Sequence, residues 1–345
     1  MIDAARTPIG KYRGSLSSFT AVELGTLVTK ELLDKTKLKK DKIDQVIFGN
    51  VLQAGNGQNV ARQIALNSGI PVDVLAMTIN EVCGSGMKAV ILARQLIQLG
   101  EAELVVAGGT ESMSQAPMLK PYQSETNEYG EPISSMVNDG LTDAFSNTHM
   151  GLTAENVATQ FSVSREEQDR YALASQLKAA QAVEAGVFSE EIIPVKISAE
   201  DVLSEDEAVR GNSTLEKLGT LRTVFSEEGT VTAGNASPLN DGASVVILAS
   251  KEYAENNNLP YLATIKEVAE VGIDPSIMGI APITAIQKLT DKAGIALPTI
   301  DLFEINEAFA ASSIVVNREL QLDEEKVNIY GGAIALGHPI GASGA

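Results

Sequence analysis

The stretch Asn80-Glu81-Val82-Cys83-Gly84-Ser85-Gly86-Met87-Lys88-Ala89-Val90 decides the fold, because an apolar run breaks at glycines there and a helical pattern begins. Cys83 is the only cysteine of the 345 residues. At a helix N-terminus a thiol feels the positive end of the backbone dipole and unpaired N–H groups, which lower its pKa and make it a candidate nucleophile. Gly84 and Gly86 leave room for a substrate. The other reading of a lone cysteine is a small buried hydrophobe.

Outward from this turn the α/β signature continues. Leu24, Leu27, Val28 and Leu32 form a helical stripe that precedes the apolar run Gln45–Phe48, and Leu104–Ala107 follows the helix that starts near Met87, ending at Gly108-Gly109. Runs of this kind read as buried parallel strands, so the first third is a layered α/β unit. The chain also echoes itself. Leu33-Asp34-Lys35 leads through Ile43-Asp44 into Val46–Asn50, as Thr290-Asp291-Lys292 leads through Ile300-Asp301 into Leu302–Asn306. The glycine-rich turn after Cys83 has its counterpart in Gly337–Gly344. Between the halves, residues 111–234 are irregular and polar around 122–138, then helical from 151 to 185, as an inserted subdomain would be. The acidic stretch 200–207 reads as a solvated loop.

Composition sets the function classes. Hydrophobic residues make up 44%, charged residues 21% and aromatic residues 4%, which fits a globular enzyme with small-residue packing. A net charge of −19 with no basic stripe excludes nucleic acid and anionic membrane as partners. No Cys-x-x-Cys or His-Glu-x-x-His spacing is present, so no structural metal is implied. The start shows no leader pattern and no run is long and apolar enough to span a bilayer, so a cytoplasmic protein is expected.

Three further constellations carry chemistry. The two histidines, His149 and His338, both lie close to glycine, and either can serve as the base a thiol requires. Asn306-Glu307-Ala308-Phe309-Ala310 puts an amide and a carboxylate at the end of an apparent strand, where α/β proteins place their sites. Asn306 can orient a water or an oxyanion, or can cap a helix.

Taken in order, Asn-Glu-Val-Cys-Gly-Ser-Gly-Met (80–87), Asn-Glu-Ala-Phe-Ala (306–310) and the glycine-rich block 331–345 resemble the signature blocks of thiolases. Supporting blocks are Ala4–Gly10, Ala107–Ser114 and Gly229–Ser237, so the resemblance spans the chain. It implies a thiolase fold of two duplicated layered α/β/α halves: residues 1–116 with 235–255, a loop subdomain 117–234 for CoA binding and oligomerisation, and a second half 256–345. His149-Met150-Gly151 resembles the motif of the biosynthetic, acetyl-specific branch. The likeness extends to the thiolase half of bifunctional acetoacetyl-CoA thiolase/HMG-CoA reductases of the mevalonate pathway.

The resemblance implies condensation of two acetyl-CoA to acetoacetyl-CoA and its reverse, with CoA and acetyl-CoA as substrates and no permanently bound cofactor. Cys83 would carry the acetyl group, His338 would take the thiol proton, and Asn306 would hold a water in the oxyanion site. His149 and Ser237 would contact the pantetheine arm, which Leu141, Met150, Phe225, Ala233, Met278 and Phe309 would line. A homodimer or homotetramer is implied too. Family members continue past the His338 block to a second cysteine, in Cys-x-Gly, which acts as the condensation base. Ending at Ala345, the chain is therefore expected to have an incomplete second half and impaired turnover, with Ser343 and Glu307 as conceivable replacement bases. Two other readings are a vestigial CoA-binding protein without turnover and a ketoacyl-synthase-like condensing enzyme, against which the Asn306–Phe309 block argues.

Overall fold

The computed structural model describes residues 1–345. Its central sheet has the strands β1 (Asp3–Arg6), β2 (Gln45–Gly49), β3 (Leu75–Ile79), β4 (Leu104–Ser112) and β5 (Asn240–Ala249), in the order β1-β5-β4-β2-β3. β2 runs parallel to β3 and β4, whereas β5 is antiparallel to β1 and β4. Residues 240–249 thus return from far along the chain into the middle of the first sheet.

Alternation along the strands creates two apolar faces. Val46, Phe48, Leu104, Val106, Val245 and Ile247 share one core with helices α1 (Ala21–Thr36) and α2 (Val60–Asn67). Ile47, Val105, Ala107, Val246 and Leu248 face the other way, onto Ala89 and Ala93 of α3 (Ser85–Gln98). The α1 stripe behaves as its spacing predicts: Leu24, Val28 and Leu32 are fully buried. α1 starts where Thr20 and Glu23 form a reciprocal capping box. It stops at Lys37, which takes the left-handed conformation.

The intervening segment opens with three short hairpins, pairing 118–119 with 133–134, 122–123 with 128–129 and 142–143 with 148–149. It then builds α4 (Met150–Gln160) and α5 (Arg165–Glu184). The acidic stretch differs from the solvated loop its composition suggests. Asp206 is buried and accepts Arg6 Nη1 at 2.7 Å, Arg6 Nη2 at 2.9 Å and the Ile9 N–H at 2.7 Å. Glu207 accepts the Lys11 N–H at 2.8 Å and Ser15 Oγ at 2.6 Å. Two of the acids are therefore ties to the β1 strand and the loop after it.

The internal echo holds locally. α1 leads through a 3-10 turn (Lys40–Lys42) into β2, and α6 (Ala281–Ala293), closed by the left-handed Gly294, leads through a 3-10 turn (Leu297–Thr299) into the extended run 302–306. The run bridges a neighbour at Phe303–Val327, and Asn328 holds it from the side: its Oδ1 accepts the Ile305 N–H at 2.8 Å and its Nδ2 donates to Ile305 O at 2.8 Å. Helix α7 (Ala310–Leu320) packs through Val315 on Val157 and Ala158 of α4, and through Val316 and Leu320 on Ile283 and Ile286 of α6.

Candidate functional site

Four chain segments meet at the site: the turn 80–85 that enters α3, the loop 50–52 after β2, the run 306–309 that enters α7, and the loop 337–345. The turn is tightly specified. Val82, a β-branched residue, sits at φ +49°, a conformation such side chains rarely adopt. It is held there by its neighbours. Asn80 Oδ1 accepts the Val82 N–H at 2.9 Å, and the fully buried Ser85 hydroxyl donates to Val82 O at 2.6 Å while accepting the Glu81 N–H at 2.8 Å.

Cys83, half-buried, packs against the apolar cluster of Val51, Leu52, Met113, Met136 and Ile340. The expected lowering of its pKa does not occur. Burial, with a smaller contribution from the Glu111 carboxylate, pushes the thiol up to about 11. The helix start cannot offset this: the Gly84 and Ser85 N–H groups are already bonded to Glu81 O and Val82 O.

The loop 337–345 lies directly on the sheet and on the start of α3. A Cβ placed on Gly109 would stand 2.1 Å from Gly341 O, and one on Gly86 would stand 2.9 Å from Ala342 O. His338 is buried within this loop. Its N–H donates to Asn240 Oδ1 at 2.8 Å, its Nδ1 lies 2.7 Å from Ser343 Oγ, and its Nε2 lies 3.4 Å from Asn306 Nδ2. Ser343 Oγ also donates to Pro339 O at 3.1 Å, so its remaining role toward His338 is acceptor. The Nδ1–H tautomer follows, leaving the Nε2 lone pair toward Asn306. Burial lowers the His338 pKa to about 4, so the imidazole is neutral at ordinary pH.

An apolar wall lies beside this centre. Met150, Phe225, Met278 and Phe309 join Ala154, Val231 and Ala236 in one cluster. His149 caps α4 by accepting the Gly151 N–H on Nδ1 at 3.0 Å, and its ring stacks on Phe225 with centroids 4.7 Å apart. Burial also lowers the pKa of His149. Ser237 donates its N–H to Ala308 O at 3.0 Å, beside the same wall.

Residues 1–252 match the family model for the thiolase N-terminal domain, and residues 259–345 match that for the thiolase C-terminal domain. This chain belongs to the thiolase family. It is 50% identical over 350 residues to the acetyl-CoA acetyltransferase of Pseudomonas aeruginosa, covering 100% of this chain and 89% of that protein. To a probable acetyl-CoA acetyltransferase of Escherichia coli it is 49% identical over 349 residues, covering 100% and 89%. The Bacillus anthracis acetyl-CoA acetyltransferase superposes with a TM-score of 0.96 at 43% identity, over 100% of this chain and 88% of that one. The Acat5 thiolase from Ascaris suum, solved in complex with coenzyme A, superposes with a TM-score of 0.95 at 42% identity, over 99% and 89%. The chain is thus a thiolase-type acyltransferase. The expectation that its second half is cut short finds no support, since the C-terminal domain model is matched as well.

Of the residues singled out in the thiolase motifs, Asn306 and His338 are in direct contact, and Cys83 packs against Ile340 of the same loop as His338. Met150, Phe225, Met278 and Phe309 come together in one apolar cluster, but two others do not join them. Leu141 packs with the Cys83 cluster, and Ala233 is exposed on the turn before Asn235. Glu307 is spent elsewhere: it accepts Ser175 Oγ at 2.7 Å, Asn328 Nδ2 at 3.0 Å and the Ile334 N–H at 3.2 Å. Three residues with a part in the geometry escaped sequence reasoning, namely Ser85, Glu111 and Asn240. Glu111 stands inside the matched block 107–114, which was the available signal.

Proposed function

We propose that the protein is an acetyl-CoA C-acetyltransferase that works through an acetyl-Cys83 intermediate. The observation that carries this reading is the neutral imidazole of His338, locked by Ser343 into the tautomer that turns a basic Nε2 toward Asn306. A thiol near 11 and an imidazole near 4 form a neutral pair at rest. Proton transfer is then coupled to attack. As Sγ bonds the thioester carbonyl carbon, its proton passes to Nε2, and the carbonyl oxygen takes up negative charge. Asn306 Nδ2 and the imidazolium N–H are the donors near that oxygen, each worth about 3 kcal/mol of barrier. The C–S bond to CoA then breaks, and the CoA sulfur leaves with the proton from Nε2.

In the condensing half-reaction, the α-carbon of the second acetyl-CoA bonds the acetyl carbonyl carbon, the bond from that carbon to Cys83 Sγ breaks, and the α-proton lost by the second acetyl-CoA is balanced by the proton that restores the Cys83 thiol. Neither Ser343 nor Glu307 is assigned as the base, since the hydroxyl of one is held on His338 and the carboxylate of the other by three donors. The His149–Phe225 stack and the Met150, Met278 and Phe309 wall suit the apolar and amide portions of a pantetheine arm. The exposed Tyr122, Tyr129 and Phe145 on the hairpins 118–149 support assembly into dimers or tetramers, which light scattering would read.

The test is incubation with acetyl-CoA followed by peptide-mapped mass spectrometry. An acetyl group on Cys83 with release of free CoA, absent in Cys83→Ala, is expected. A folded protein that leaves Cys83 unmodified overturns the reading in favour of CoA binding without exchange.

A further inference from the structure

We infer that Glu111 is a positioning residue for this reaction, a buried carboxylate that clamps the loop after β2 and the His338 loop together beside Cys83; the inference rests on Cys83 being the acyl carrier. Glu111 is fully buried near the end of β4 and enters no salt bridge. Its charge is met by N–H groups alone. Oε1 accepts Asn50 Nδ2 at 2.9 Å and the Leu52 N–H at 3.2 Å; Oε2 accepts the Val51 N–H at 3.0 Å and the Gly341 N–H at 3.0 Å. Four donors fill the four lone-pair sites of a carboxylate. Three come from the end of β2 and one from the loop that carries His338.

Burying an unpaired carboxylate is costly, and burial indeed raises the Glu111 pKa to about 7. The ionisable groups acting on it are Asp241 of β5 and Cys83, neither of them a cation. A neutral side chain would avoid that cost, but an amide offers one acceptor oxygen where four donors converge, and its NH2 would face N–H groups. The clamp therefore requires the anion. It reaches the chemistry directly, because Val51 and Leu52 pack around Cys83 together with Ile340, the neighbour of Gly341. There is no slack in the joint: a Cβ on Gly341 would stand 2.6 Å from Glu111 Oε2 and 3.0 Å from Asn50 Cα. The anion also acts on the thiol, since its charge is one of the causes that keep Cys83 protonated.

Single-turnover acetylation and the pH dependence of Cys83 alkylation by iodoacetamide test this on the full chain. Glu111→Gln is expected to lower the acetylation rate at saturating acetyl-CoA about 10–100-fold, the range found when a partner orienting a catalytic group is lost. KM should stay within about twofold, because the His149–Phe225 wall is untouched. The alkylation profile should move to lower pH as the nearby negative charge is lost. A wild-type acetylation rate in Glu111→Gln overturns the inference, and so does a rate loss with an unmoved alkylation profile and a raised KM, which marks a merely structural role. If circular dichroism shows that Glu111→Gln does not fold, Gly341→Ala decides. It strains the clamp from the loop side but keeps the charge, so the rate should fall with the alkylation profile unchanged; a wild-type rate there overturns the clamp. Failure of the underlying reading is separately visible, because the wild-type chain would then carry no acetyl group on Cys83.

Discussion

His338 Nδ1 and Ser343 Oγ lie 2.7 Å apart, and the same hydroxyl donates to Pro339 O at 3.1 Å, so a serine five residues downstream dictates which imidazole nitrogen carries the proton. Ser343→Ala removes that constraint and lets the Nε2–H tautomer form, which cannot accept the Cys83 proton. The single-turnover acetylation rate is expected to fall about 10–100-fold with KM unchanged, and Ser343→Thr, which restores a hydroxyl, should recover most of it. A rise in KM without rate loss would contradict the tautomer argument.

Cys83 and His338 move apart in pKa, and this predicts an unusual pH response. With the thiol near 11, alkylation by iodoacetamide should climb about tenfold per pH unit across the range 7 to 10 without levelling. Enzymatic acetylation should be nearly flat above about pH 8, because His338 stays neutral above about 4 and accepts the proton only in the transition state, and should fall as the pH drops through about 7, where Glu111 takes up a proton and the clamp loses its anion. An alkylation plateau near neutrality would show a resting thiolate and sink the neutral-pair mechanism.

What the sequence could reveal follows how far apart the partners are. Cys83, His338 and Asn306 stand in contiguous motifs, and the strands 45–49 and 104–112 and the helices α1 and α3 follow from local apolar spacing. Ser343 was visible as a polar residue near His338, yet its contact with Nδ1 depends on how the loop turns back at Pro339. The contacts of Glu111, Asn240 and Asp206 are not legible, although Glu111 stands in the matched block 107–114. Their partners lie 230, 98 and 200 residues away at Gly341, His338 and Arg6, so local pattern carries no trace of them. The same distance explains why 200–207 reads as a solvated charge run although two of its acids are ties. The raised thiol pKa is hidden for a related reason: a helix-start pattern does not show that the Gly84 and Ser85 N–H groups are bonded to Glu81 O and Val82 O.

Gly151 and Phe225 give a test of the apolar wall. A Cβ on Gly151 would stand well inside contact distance of the Phe225 ring, which stacks on His149. Gly151→Ala should displace that ring and raise the KM for acetyl-CoA about tenfold while leaving the saturated acetylation rate within about threefold. Equal loss in both constants would mean that the stack reaches the reacting atoms.

Asp206 tests whether the acidic segment is structural. Its side chain has no exposed surface and receives both Arg6 nitrogens and the Ile9 N–H. Asp206→Asn leaves the largely buried guanidinium with only the half-exposed Glu191 carboxylate, 2.7 Å from Arg6 Nε, and should cost about 1.5–3 kcal/mol, read as a lowered urea midpoint. A midpoint close to wild type would return the segment to the solvated class.

The turn before Cys83 offers a test of strain. Val82 is held at φ +49° by Ser85, whose hydroxyl bonds both Glu81 N–H and Val82 O. Ser85→Ala takes the side-chain partner from the Glu81 N–H and leaves Val82 O with the Ser85 N–H alone, and should cost about 1 kcal/mol of stability. Glycine adopts left-handed backbone without a steric cost, so with Val82→Gly the turn needs less restraint. The double variant should therefore lose less stability than the sum of the two single variants, by about 1 kcal/mol in a denaturant double-mutant cycle. Strict additivity would show that Ser85 does not restrain Val82.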